Sequence, residues 1–165
     1  MSQRVPLTVV SAVATVNAVR ASRARMSGAV MAVQMVFPNY SVADVRVATA
    51  FYEALGFTRN PDFSDETTSC MVVSEQVSIM LLEERRFDEF LVGDQRRAER
   101  GSLENLLAML LGSRDEVDAF GAAGTAAGGR LSKPIEESEG GMYGGQLTDP
   151  DGHIIDFFHM EAPAA

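Results

Sequence analysis

Two stretches of this 165-residue chain repeat one pattern of helix cap, buried stripe and stop. Ser41 and Ser113, Asp44 and Glu116, Val45 and Val117, and Gly56 and Gly128 are each 72 residues apart. A Ser or Asp side chain accepts hydrogen bonds from the first unpaired N–H groups of a helix, apolar residues three or four apart build its buried face, and Gly takes the left-handed backbone that ends it. The stripe of the first copy is Val45, Ala48, Phe51, Tyr52 and Leu55, after Ser41 or Asp44 as cap. That of the second is Val117, Phe120, Gly124 and Ala127, behind the capping box Ser113-Arg114-Asp115-Glu116 and closed by Gly128-Gly129. A repeat of this length is one supersecondary unit used twice.

Short apolar runs flank each helix. Val33 to Phe37 reads as a buried strand ending near Pro38, and strands follow at Phe57 to Arg59, Ser69 to Val73 and Val77 to Leu82, the last two joined by the turn Ser74-Glu75-Gln76. In the second unit the strands are Leu106 to Leu111, Arg130 to Lys133, Met142 to Leu147 and His153 to Phe158. Each unit is therefore β-α-β-β-β. The fold class is α+β, with modules at about 33–83 and 104–160, each sheet packing one side on its helix and turning the other towards its twin. The charged linker 84–103, with Glu84, Arg85, Arg86, Arg96, Arg97 and Glu99 around Phe87, Phe90 and Leu91, reads as a solvated face holding a short amphipathic helix.

Charge and composition narrow the partners. Residues 31–165, read as one domain, carry ten basic and 23 acidic side chains, which argues against nucleic acid or an anionic membrane. No apolar run is long enough to span a bilayer. The single cysteine, Cys70, cannot form an internal disulfide and suits a reducing cytoplasm, the compartment expected. Cys70 reads as a small buried hydrophobe, because no His is visibly placed to activate it. Residues 1–30 contain four Arg and no acid. They are read as a mobile appendix outside the fold, in preference to a secretory signal, whose apolar stretch Val5 to Val19 is interrupted by Thr8, Ser11, Thr15 and Asn17, or an organellar transit peptide.

The run Thr148-Asp149-Pro150-Asp151-Gly152-His153-Ile154-Ile155-Asp156-Phe157-Phe158 is the most specific in the chain. Asp-Pro and Asp-Gly form a tight turn, and an apolar strand begins at once. In that strand Asp156 is a lone carboxylate, costly to bury without a partner or a cation. With Asn39-Tyr40-Ser41-Val42-Ala43-Asp44 and Ala50-Phe51-Tyr52-Glu53-Ala54-Leu55-Gly56-Phe57, the run resembles the vicinal oxygen chelate superfamily, the group of glyoxalases, bleomycin resistance proteins and extradiol dioxygenases. Asn60-Pro61-Asp62-Phe63-Ser64-Asp65-Glu66, Cys70-Met71-Val72 and Met142-Tyr143-Gly144 bring it closer to the branch described as predicted lactoylglutathione lyases. The resemblance covers about residues 33–160 and implies a curved β-cup with helices outside, assembled as a homodimer.

Enzymes of that superfamily hold a divalent metal with four side chains, from the first and last strands of each unit. Carried over singly, these positions fall on Phe37, on one of Leu106, Leu107, Ala108 and Met109, on Met80, and on Asp156. Only Asp156 can ligate, so no metal or other cofactor is expected. His159 is three residues from Asp156 and so on the opposite strand face, and His153 reads as a turn or surface residue rather than a ligand. Alternation puts Asp156 with Ile154 and Phe158, away from Ile155 and Phe157.

The expected site is an apolar cup lined by Phe37, Met80, Met35 and Met109, with Asn39, Tyr143, Gln146 and Asp156 as its polar groups and at most one of Tyr143 and Gln146 pointing in. Asp156 stands as a catalytic acid or base of raised pKa, or as a carboxylate held by a backbone or Tyr donor. The plain alternative is that these side chains fill the cup as core. Three functions remain open: a metal-independent protein binding a small, partly apolar molecule; a lactoylglutathione lyase-like or dioxygenase-like enzyme; and a non-catalytic homodimeric scaffold.

Overall fold

A computed structural model describes residues 33–161, with 100, 104 and 139 excepted. The expected appendix at 1–30 lies outside the described residues. In chain order the elements are β1 (Asn39–Val42), α1 (Val45–Ala54), β2 (Thr58–Asn60), a 3-10 turn (Pro61–Phe63), β3 (Thr68–Ser74), β4 (Val77–Glu83), α2 (Glu84–Asp88), β5 (Leu106–Leu110), α3 (Arg114–Ala126), β6 (Arg130–Glu137), β7 (Met142–Thr148) and β8 (Ile154–Met160). This is the β-α-β-β-β unit twice, in an α+β fold, with α2 opening the linker. The sheets are ordered β1-β4-β3-β2 and β5-β8-β7-β6, so the first strand of each unit pairs in parallel with its last. The two sheets stay separate, and a single chain does not close the cup.

The helix caps shift the repeat. Asp44, not Ser41, caps α1: its Oδ1 accepts the N–H of Arg46 at 2.8 Å and of Val47 at 3.3 Å. Ser113 Oγ caps α3 by accepting the Glu116 N–H at 3.2 Å, while Glu116 Oε2 reaches back to the Gly112 N–H at 2.7 Å. The 72-residue spacing holds from Val45 and Val117, both buried, to Gly56 (φ 91°) and Gly128 (φ 99°), which end the two helices. It fails at the caps because α3 has 13 residues against 10 in α1 and begins about a turn earlier.

The first strand is also displaced. Val33, Met35, Val36 and Phe37 are exposed rather than buried, and β1 begins after Pro38. Val36 makes an isolated parallel bridge to Val77, and the Pro38 carbonyl accepts the Met80 N–H at 2.8 Å. The register is continuous, but Pro38 has no N–H to donate and divides the strand.

The helix-facing sides of the two sheets share one hydrophobic core. Rings run through it from one unit to the other: Tyr52 stacks on Phe57 at 6.0 Å, Phe57 lies 6.3 Å from Phe120, and Phe120 lies 5.0 Å from Phe157. α3 lies close against β7 because Gly124 has no side chain: a Cβ there would fall 2.3 Å from Leu147 Cδ2. Among the described residues no helix is long and apolar enough to cross a membrane.

A polar lock joins the units beside that core. The Asp149 side chain is 1% exposed and sits in the turn between β7 and β8. Its Oδ1 accepts the N–H groups of Asp151 at 2.9 Å and of Gly152 and His153 at 2.8 Å. Its Oδ2 accepts from the Tyr52 hydroxyl of α1 at 3.0 Å and lies 2.8 Å from His153 Nδ1. The His153 ring stacks on Tyr40 of β1 at 4.4 Å, and Ala43 N–H donates to Asp151 Oδ1 at 2.9 Å.

Burial, and then the Asp149 carboxylate, hold the Tyr52 phenol well above its ordinary value near 10. Above about pH 10 the unfolded chain therefore releases a proton that the folded chain keeps, and stability falls as pH rises. Tyr52→Phe is expected to cost about 1.5–3 kcal/mol in urea unfolding at neutral pH, the value of a hydrogen bond to a charged group. It is also expected to flatten the loss of stability between about pH 10 and 11. An unchanged alkaline slope in the variant would show that Tyr52 is not its source.

Candidate functional site

The outer face of the second sheet is built by strand alternation. On β5, Met109 and Leu107 turn towards the core, while Leu106, Ala108 and Leu110 are exposed. On β8, Ile155 and Phe157 are fully buried, and Ile154, Asp156 and Phe158 share the opposite, half-buried face. In register, Asp156 sits between Ala108 on β5 and Gln146 on β7. Ser132 Oγ donates towards Gln146 Oε1 at 3.1 Å and its backbone carbonyl at 3.2 Å, which fixes the amide beside Asp156. Leu106, Leu110, Ile154 and Phe158 frame this carboxylate–amide pair with apolar surface.

The structure brings together some of the expected site residues and separates others. Asp156 and Gln146 are neighbours, but Tyr143 is on the other face of β7. Its hydroxyl donates to Asp118 on α3 at 2.8 Å, and the Arg114 guanidinium, ion-paired to Glu137 at 2.7 Å, lies 4.8 Å over its ring. The bond to Asp118 raises the Tyr143 phenol above its ordinary value. Gln146, not Tyr143, is thus the member of that pair on the Asp156 face.

Asn39 and Met80 belong to the first sheet, and Phe37 precedes it. Phe37 is 43% exposed, and the Asn39 amide donates to the Phe37 carbonyl at 2.7 Å. Asn39, Met80, Cys70 and Asn60 form one row across β1, β4, β3 and β2. Met109 is 9% exposed in the core and does not line a cup. Cys70 is buried, and burial pushes its thiol up, away from the reactive thiolate. His159 sits near the Leu111 carbonyl, with Nδ1 3.1 Å away, and not with Asp156.

A cavity of about 860 Å³ lies elsewhere, at the seam between the units, lined by Tyr40, Ser41, Glu84, Asp88, Arg97 and His153 among others. None of the six expected ligand-binding residues lines it. Arg97 is held there by Asp88 at 2.7 Å and Glu84 at 3.3 Å. His153, read as a turn or surface residue, ends the turn but is no surface residue: its side chain is only 14% exposed, and its Nδ1 faces the Asp149 carboxylate at 2.8 Å. The motif around Asp149-Pro150-Asp151-Gly152 signals a turn, but its contacts with Tyr40 and Tyr52 join residues about a hundred positions apart and leave no local mark.

A sequence model described as the Glyoxalase/Bleomycin resistance protein/Dioxygenase superfamily matches residues 33–157. Among solved structures, a hypothetical protein, SA1046, from S. aureus is 26% identical at a TM-score of 0.66, over 80% of this chain and 95% of that one. A glyoxalase/bleomycin resistance protein from Albidiferax ferrireducens is 25% identical at a TM-score of 0.58, over 77% and 98%. A lactoylglutathione lyase from Agrobacterium tumefaciens, at 15% identity and a TM-score of 0.57 over 76% and 92%, shares the fold. A comparison with curated proteins finds no match.

The divalent metal that the resemblance implies does not fit these residues. Register places Asn39, not Phe37, beside Met80, and Ala108 beside Asp156. Asn39, Met80, Ala108 and Asp156 offer one carboxylate, one amide oxygen, one thioether and one methyl. Tight sites for Zn²⁺, Ni²⁺ or Fe²⁺ need several strong donors in fixed geometry. Among the described residues, no three of His, Cys, Asp or Glu converge to hold a metal ion. Dialysis against a chelator is expected to leave the unfolding midpoint unchanged, and adding Zn²⁺, Ni²⁺ or Mn²⁺ is expected not to raise it. A stoichiometric metal surviving dialysis would count against this account.

Proposed function

This chain belongs to the Glyoxalase/Bleomycin resistance protein/Dioxygenase superfamily, and we propose that it binds a small, partly apolar molecule against the Asp156 face of its second sheet, without a divalent metal. The observation that carries this reading is the exposure of Leu106 (46%) and Leu110 (58%) beside a carboxylate that makes no hydrogen bond or ion pair among the described residues. Apolar surface gathered around a few polar groups is how small-molecule sites are made. In this reading the protein is a homodimer in which the partner copy walls the face that one chain leaves open. The exposed Met35, Val36 and Phe37 and the edge strands β1 and β5 support that assembly. The lone buried Cys70 suits a reducing compartment, in keeping with a cytoplasmic protein.

The enzymatic alternative is favoured by one observation, that His153, paired to the buried Asp149 carboxylate, lines the seam cavity. A histidine oriented by a carboxylate can act as general base. Turnover of the methylglyoxal–glutathione hemithioacetal, lost in His153→Gln with the fold retained, would support it.

Thermal-shift screening against a broad library of small organic molecules is expected to return saturable stabilisers, about 2.7 kcal/mol at a hundredfold excess over Kd, because ligand binds only the native state. Sedimentation is expected to show a dimer, and the double variant Leu106→Glu, Leu110→Glu a folded monomer with weakened ligand response. A monomeric wild type that no compound stabilises would sink the proposal.

A further inference from the structure

Resting on that reading of the Asp156 face, we propose that its ligand is an apolar organic cation, whose protonated amine pairs with Asp156 while its hydrocarbon body lies on Leu106, Leu110, Ile154 and Phe158. Asp156 is the one formal charge on β5, β7 and β8. The edge strand β6 carries Arg130, Lys133, Glu136 and Glu137, in register with Thr148, Gln146, Gly144 and Tyr143, and among the described residues neither of its two cations is ion-paired to Asp156. Ala108, beside Asp156 in register, carries only a methyl group and leaves the carboxylate approachable from β5.

A ligand seated on this face, walled by the partner copy of the proposed dimer, strips water from the carboxylate. A neutral apolar molecule would leave a desolvated, unpaired charge, and an anionic one would add repulsion. A protonated amine supplies the missing counter-charge and donates charge-assisted hydrogen bonds. The Gln146 amide, steadied by Ser132, adds a polar contact at the rim of the same spot. At longer range the chain's net charge of −9 favours the approach of a cation. Asp156 thus does with an ammonium head what its position could not do with a metal lacking three further ligands.

Three probes of one shape test this: protonated 4-phenylbutylamine, neutral 4-phenylbutan-1-ol and anionic 4-phenylbutyrate, titrated by calorimetry into the full-length protein. The amine is expected to bind about tenfold or more tighter than the alcohol, as one charge-assisted contact supplies, and the acid weakest. Asp156→Asn is expected to bring the amine down to the level of the alcohol without lowering the unfolding midpoint, and Asp156→Glu to keep part of the preference. Equal binding of amine and alcohol, or an amine preference that survives Asp156→Asn, overturns the cation proposal and leaves the face standing as an apolar site. No saturable binding by any of the three overturns both.

Discussion

The Asp149 carboxylate is the contact on which the arrangement of the two units depends. Five donors converge on it: three backbone N–H groups of its own turn, the His153 ring and the Tyr52 hydroxyl from the other unit. A carboxylate so buried is costly unless nearly every lone pair is used. Here the turn satisfies one oxygen and the partner unit helps satisfy the other. The ring series from Tyr52 to Phe157 supplies the apolar part of the same junction. Directional bonds fix the angle, and area burial supplies most of the driving force.

This junction decides which faces are left over. Each four-stranded sheet has one side committed to its helix and the shared core, so the other side is free for chemistry or assembly. On the first sheet the 3-10 turn Pro61–Phe63 packs against β3, the Cys70 N–H donates to Ser64 Oγ at 2.9 Å, and Ser69, Cys70 and Ser78 are buried. Among the described residues, nothing comparable covers Leu106 and Leu110 on the second sheet. The repeat is therefore alike in topology and unlike in surface, and its second half holds Asp156, unpaired among the described residues.

Local signals in the sequence carried well. Caps, stripes and stop glycines located both long helices, the turn residues located β8, and strand alternation put Asp156 opposite Ile155 and Phe157. Failures came where the outcome depends on lateral pairing. Val33 to Phe37 has the composition of a buried strand, but Pro38 interrupts the ladder and, among the described residues, no element covers the exposed Val33, Met35, Val36 and Phe37. Phe37 consequently gives way to Asn39 beside Met80, and Met109 goes to the core. Tyr143 and Gln146 are equally plausible on composition, and only the register of β7 against β8 separates them. His153 looks like a turn residue until Tyr40 and Asp149 enclose it.

The seam also bears on how the chain can be divided. Among the described residues, the ring series, Tyr52 with Asp149, Tyr40 with His153 and Asn105, and Ala43 with Asp151 join the units, and none of these residues lies between 89 and 103. That segment tethers the halves, raises their effective concentration and lines the seam cavity, while the bonds named above lie outside it. A chain cleaved within it retains every one of these contacts, so the two fragments can reassemble as a complementing pair.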